Sequence, residues 1–197
     1  MTYSTRITLI SRLKNRTDEQ AWLEFDKTYR PYIAGILIRM EFTNHDIQDI
    51  QQNVMLKAWD KLSEFHYDKS KGKFRHWIAS ITINTAKNLI RKNSRLSNAI
   101  KDKETLLERY LKQTDSPELE EIIQNEWEYF VTQKAWGNIE GTLSKLVIQC
   151  FEKVTSGLPV KQIAKDLSIQ ENTVYVYNKR VKNALCCEIA RLEEELN

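Results

Sequence analysis

Asn84, Lys87, Asn88, Arg91 and Arg95 recur at i, i+3, i+4, i+7 and i+11, the repeat of one face of an α-helix. Trp77, Ile78, Ile81, Ala86, Leu89 and Ile90 occupy the other side of the same segment and can bury. This double periodicity makes the stretch an amphipathic helix and leaves no room for a strand. Its outward stripe combines amides with cations, and the lysine-punctuated loop before it carries Phe65 and Tyr67. Such a surface suits nucleic acid, including strands whose bases are unstacked, because stacking and amide contacts add to phosphate attraction. Phe74 and Trp77 follow the buried face and are expected mainly in the core.

The remaining sequence is compatible with an all-α fold. Only five glycines and three prolines interrupt 197 residues, and no alternating pattern of useful length marks a strand. The chain is long enough for one or two small domains with cores of their own. No apolar run reaches the ~18–20 residues that span a bilayer, so membrane insertion is not expected. The N-terminal residues lack the apolar stretch of a secretion signal. Cys150, Cys186 and Cys187 have neither CxxC spacing nor paired histidines, so ordinary thiols in a reducing compartment are expected. His45, His66 and His76 have no spacing that suggests a triad or a metal site. No catalytic residue, metal or cofactor is therefore expected.

The net charge of +3 hides an uneven distribution. Residues 1–56 carry 7 basic and 7 acidic groups, whereas residues 57–101 carry 11 and 3, for +8. Residues 102–140 hold 4 basic against 10 acidic, for −6, and residues 141–187 hold 7 against 3, for +4. Two basic blocks separated by an acidic one suggest two nucleic-acid-facing modules and a connector.

Apolar spacing places the elements. A helix beginning near Asp18 presents Trp22, Phe25, Tyr29, Ile33, Ile36 and Leu37, with Pro31 expected to kink or reset it. A second, after Asn44, buries Ile47, Ile50, Val54, Ala58 and Leu62. Residues 96–116 read as a linker. Ser116 and Pro117 then open a helix through Ile122, Ile123, Trp127, Phe130 and Val131. Further on, Leu143, Leu146, Val147, Cys150 and Phe151 give one helix, and residues 156–159 break it. A short helix over 160–167, a turn at 168–170 and a final helix from Glu171 complete a helix-turn-helix. Val174, Val181 and Leu185 would hold the final helix down, and its other faces could enter a major groove.

Taken in order, these segments resemble a bacterial RNA polymerase sigma factor of the sigma-seventy family, in the short two-domain form called the extracytoplasmic-function group. The resemblance covers roughly residues 20–95 and 118–187. Residues 46–59, Asp-Ile-Gln-Asp-Ile-Gln-Gln-Asn-Val-Met-Leu-Lys-Ala-Trp, are similar to the family helix that docks on the polymerase clamp. Residues 72–78 (Gly-Lys-Phe-Arg-His-Trp-Ile) and 83–89 (Ile-Asn-Thr-Ala-Lys-Asn-Leu) resemble the melting loop and the helix that reads the −10 element. Residues 163–167 and 173–185 resemble the helices that read the −35 element. Each motif is degenerate, and their shared order and spacing are the specific part.

The resemblance implies a site for each partner. Polymerase contact falls on Asp46, Asp49, Gln52, Met55 and Trp59. The −10 contacts fall on Phe65, Tyr67, Arg75, Asn84, Lys87, Asn88, Arg91 and Arg95, with Asn84 in the pocket for a flipped base. The −35 contacts fall on Glu171, Asn172, Thr173, Tyr175, Lys179, Arg180 and Lys182. It further implies a region 2-like domain over 1–95, a linker over 96–116 and a region 4-like domain over 117–197. The implied function is promoter recognition and strand opening on RNA polymerase core, in the cytoplasm and associated with the nucleoid. An anti-sigma factor stands open as a further partner, and no enzymatic chemistry is implied.

The final helix departs from the family pattern. Tyr177 and Asn178 stand where a basic residue and a leucine are usual, Ser168 where glycine is frequent, and Gln170 at the usual serine or threonine cap. Two other readings stay open at this point. One is a stand-alone helix-turn-helix regulator, and the other a small nuclease, which lacks a carboxylate cluster in a basic setting.

Overall fold

The computed structural model describes residues 6–62, 74–96 and 117–196, with backbone alone at 6–8, 93–96 and 118. Its regular elements are helical throughout the described residues. They are α1 (Arg6–Leu13), α2 (Glu19–Arg39), α3 (Asn44–Leu62), α4 (Phe74–Leu96), α5 (Pro117–Ile139), a 3-10 turn at Glu140–Thr142, α6 (Lys145–Thr155), α7 (Val160–Asp166) and α8 (Glu171–Leu196). The chain divides into two compact units, one of residues 1–130 with 195–197 and the other of residues 131–194.

In the first unit α2, α3 and α4 pack together around Phe25, Tyr29, Ile33, Ile50, Val54, Phe74 and Ile78, all buried. Asp18 starts α2 by accepting from the Ala21 N–H at 2.9 Å. The same carboxylate accepts from Arg12 at 2.9 and 3.1 Å, and this hydrogen bonding draws it below the usual carboxylate range. Contrary to expectation, α2 is not reset at Pro31 and runs unbroken from Glu19 to Arg39. Pro31 is exposed while Tyr29, Tyr32 and Ile33 are buried, so packing on the inner side outweighs the one missing N–H. Thr43 and Asp46 cap α3 reciprocally: the Thr43 hydroxyl donates to Asp46 at 2.7 Å and accepts from the Asp46 N–H at 3.3 Å.

The first half of α5 belongs to this unit. Leu119, Ile123 and Trp127 are buried, and the Tyr32 ring meets Trp127 edge-on at 5.2 Å. The Tyr32 hydroxyl donates to the Ile123 carbonyl at 3.4 Å, and burial raises the phenol above its usual range. Buried Glu126 pairs with Arg39, and Gly35 faces it where a Cβ would overlap the carboxylate. The unit boundary thus falls inside α5, between Phe130 and Val131, whereas the sequence placed a domain start at 117. The apolar repeat of α5 runs through that boundary without a break. Residues 97–116 of the expected linker lie outside the described residues.

The second unit holds the helix-turn-helix. Cys150, Ile163, Ala164 and Val174 form its core, with Val154, Val160, Leu167, Ile169 and Tyr177 packed against them. Burial raises the Cys150 thiol. α6 and α7 end alike. Beyond α6, Gly157 (φ +81°) sits in the left-handed region, and Leu158 N–H returns to Lys153 O at 3.2 Å. Beyond α7, Ser168 (φ +54°) does the same, and Ile169 N–H returns to Ala164 O at 2.9 Å. Both are Schellman ends, which glycine suits best because it has no Cβ to crowd the backbone. Lys153 and Asp166, 2.9 Å apart, tie α6 to α7.

Candidate docking groove and nucleic-acid interface

Helices α2 and α3 leave an open groove of about 460 Å³ between them. Its apolar lining is Trp22, Leu23, Met55, Leu56 and Trp59, with Gln52, Asp26 and Arg30 at the edges. Leu23 is 70% exposed and Leu56 58%, and Trp22 lies against Trp59 at 4.5 Å between ring centroids. The Trp22 Nε1 is buried and has no hydrogen-bond partner among the described residues. An apolar surface rimmed by polar groups is the usual form of a protein-docking site.

Of the five expected docking residues, the groove brings together Gln52, Met55 and Trp59. Asp49 is exposed one turn earlier on α3, 3.8 Å from His45. The Asp46 carboxylate accepts from the Thr43 hydroxyl that caps α3, so it has a structural role there. The sequence reading missed Trp22, Leu23 and Leu56. Their signal was an adjacent apolar pair beside the buried stripe (Trp22-Leu23 and Met55-Leu56), whose second member turns away from the core.

The −10 set is divided by burial. Asn84, Asn88 and Arg91 share an exposed line along α4. Lys87 is only 6% exposed, a correction to the continuous outward stripe. It lies at the margin of that line, about 60° round from Asn84 at ~100° per residue. Arg75 is a second correction. It is buried, donates to Gln124 at 2.7 Å and lies 5.1 Å above the Trp127 ring. Nine residues before Asn84, it faces the opposite side of α4, and a desolvated cation–ring contact of this kind contributes about 2 kcal/mol. Phe65 and Tyr67 lie outside the described residues, as does the Arg95 side chain. Phe74 is buried against Tyr29 at 5.5 Å, while Trp77 is half-buried and 5.1 Å from Phe74.

The −35 set lies together on α8. Glu171, Asn172, Tyr175, Lys179, Arg180 and Lys182 are exposed, and Thr173 is half-buried. Val174 and Val181 point into the core, so the polar and basic side chains occupy the outward arc. Tyr177, one of the departures from the family pattern, packs on the core. Asn178 is half-buried with its Oδ1 unpartnered among the described residues. Gln170 supplies its backbone carbonyl to the Thr173 and Val174 N–H groups at the start of α8.

Among the described residues no group of three or more His, Cys, Asp and Glu side chains is arranged to hold a metal, and no helix is long and apolar enough to cross a membrane. Residues 25–96, which contain most of α2 with α3 and α4, match the family described as Sigma-70 region 2. Residues 141–188, which contain the helix-turn-helix, match the family described as bacterial regulatory proteins, luxR family. Across its length the chain is similar to the RNA polymerase sigma-H factor of Pseudomonas aeruginosa, with 28% identity over 182 residues covering 90% of each protein. A sigma region 2 lies ahead of a DNA-binding helix-turn-helix, in the order of a sigma factor along nearly the whole chain, and on that pattern the chain belongs to the sigma-70 family.

Proposed function

We propose that this sigma factor works as a two-contact initiation factor of the extracytoplasmic-function group. The α2–α3 groove docks on RNA polymerase core, with Gln52, Met55 and Trp59 joined by Trp22, Leu23 and Leu56. The exposed line Asn84, Asn88 and Arg91 captures the opened −10 strand, and Asn84 receives the flipped base. Flipping a base costs a few kcal/mol, which stacking at ~1–3 kcal/mol per base and amide contacts offset. The outward face of α8 reads the −35 duplex, in the role of a region 4 domain. Residues 97–116 join these activities as a linker. The protein acts in the cytoplasm on the nucleoid, holds no cofactor and performs no covalent chemistry.

The observation that carries this reading is the presence, in one chain, of an exposed apolar groove on the region 2 helices and a helix-turn-helix with a basic outward face. Reconstitution with core polymerase on a genomic DNA pool tests it. Promoter-specific starts should appear only when the factor is added, and a pool without such starts refutes the reading. The luxR-family match over 141–188 favours one other reading, a regulator that works without polymerase. Co-elution with core enzyme on size exclusion separates the two. An anti-sigma factor covering the α2–α3 groove would compete with core in the same experiment.

A further inference from the structure

On helix α8, Val176 is a residue that neither the core nor the helix requires. Val176 follows Val174 by two residues, about 200° round the helix, so it stands opposite the buried side. It is 55% exposed. Asn172 lies one turn before it and Arg180 one turn after, both exposed, and Asn183 continues the same face. A β-branched side chain lowers helix propensity, and here it makes no compensating burial. An apolar branch in the middle of a polar, basic arc is therefore best explained by what that arc meets.

Lys179, Arg180 and Lys182 give the arc the charge of a surface for duplex DNA, the occupant proposed above. In the major groove the apolar feature of the base edges is the C5 methyl of thymine, and a side-chain amide suits the N6/N7 edge of adenine. Four residues of helix rise about 6 Å, close to two base steps. We propose that Val176 is a specificity-determining residue that packs on a thymine methyl in the upstream element, while Asn172 reads an adenine within about two base pairs of it. Lys179 and Arg180 position the helix on phosphates. This inference rests on the reading of α8 as the helix that binds duplex DNA.

The test uses holoenzyme assembled from the full chain and core polymerase. Duplexes carrying the upstream element are first selected from a random pool. Each thymine of that element is then replaced by deoxyuridine, which removes the C5 methyl and nothing else. One thymine should prove sensitive, with binding weakened about fourfold, the value of one buried methyl. Val176→Ala should bind thymine and deoxyuridine duplexes equally at that position, whereas Val176→Thr, which keeps one branch methyl, should retain part of the preference. Alanine favours helix at this exposed position, so the variant should fold. If the element is selected but no thymine is sensitive, or if Val176→Ala keeps the preference, the inference is overturned and the sigma-factor reading stands. Loss of core binding by Val176→Ala without any thymine sensitivity would assign the side chain to a protein contact and also overturn it. If no upstream element is selected, the reading of α8 fails and the inference fails with it.

Discussion

The two units expose their cation-bearing helices to different extents. In the first, α4 is packed by α2, by α3 and by the first half of α5, which takes Arg75 inside; Lys87 is buried as well, while Asn84, Asn88 and Arg91 stay outside. In the second, the core beneath the first turns of α8 is supplied by α6 and α7, and six of the seven expected DNA-facing residues are exposed. Helical spacing gives the angle of a side chain round its axis. How many neighbours the helix has decides how wide an arc remains wet. A basic residue at the edge of the arc stays in water on one helix and is packed on another.

The largest test of this contrast is at the covered helix. Trp127→Ala should destabilise the protein by about 3–5 kcal/mol in chemical denaturation, because Trp127 packs against Tyr32 and supports the Arg75 guanidinium. A loss below about 1 kcal/mol would mean that α5 does not cover α4 in solution.

The next test separates neighbours on α4. Asn84→Ala should stay within about 0.5 kcal/mol of the parent stability, as an exposed substitution does. It should still slow open-complex formation about tenfold, the loss of roughly one base contact, with core affinity unchanged. Lys87→Ala should instead lower stability by about 1–3 kcal/mol, because its stem is buried. Equal stability effects at the two positions would dissolve the distinction.

Within the helix-turn-helix the two Schellman ends should respond with opposite signs. Gly157→Ala puts a Cβ in the left-handed region and should cost about 1 kcal/mol, while Ser168→Gly removes one and should stabilise by a similar or smaller amount. Thermal melts of the two variants check this.

The smallest expected effect concerns Asp166, whose carboxylate is held below its usual range chiefly by the hydrogen bond from Lys153 and then by that from Gln162. A depressed native pKa gives stability that is present above the unfolded value near 3.8 and lost as the pH falls through the lower native value. Asp166→Asn should therefore lower Tm slightly at neutral pH, with the difference from the parent vanishing in acid. A difference that grows below pH ~4 would put the interaction wrong.

Much of the fold was legible because its signals are local. The stripe Ile47, Ile50, Val54, Ala58 and Leu62 is buried as its spacing requires, and the helix-turn-helix breaks where residues 156–159 and 168–170 say it should. Arg75 was misassigned to the −10 contacts by the resemblance, although nine residues of helix already put it opposite Asn84. The burial of Lys87 was not legible, because its i+3 place beside Asn84 reads as part of the exposed line. Continuity of α2 through Pro31 was likewise hidden, since the tyrosines and isoleucine that hold that turn act through their packing.

By itself the sequence determined an all-helical chain, the faces of its helices and the order of a sigma factor, because period, caps and breakers are written within a few residues of where they act. Only the tertiary structure decided that the first half of α5 joins the region 2 helices, that an apolar groove opens between α2 and α3, and which cations stay in water. Those outcomes depend on which surfaces meet, and burial is set by the partner a side chain finds rather than by its position along one helix.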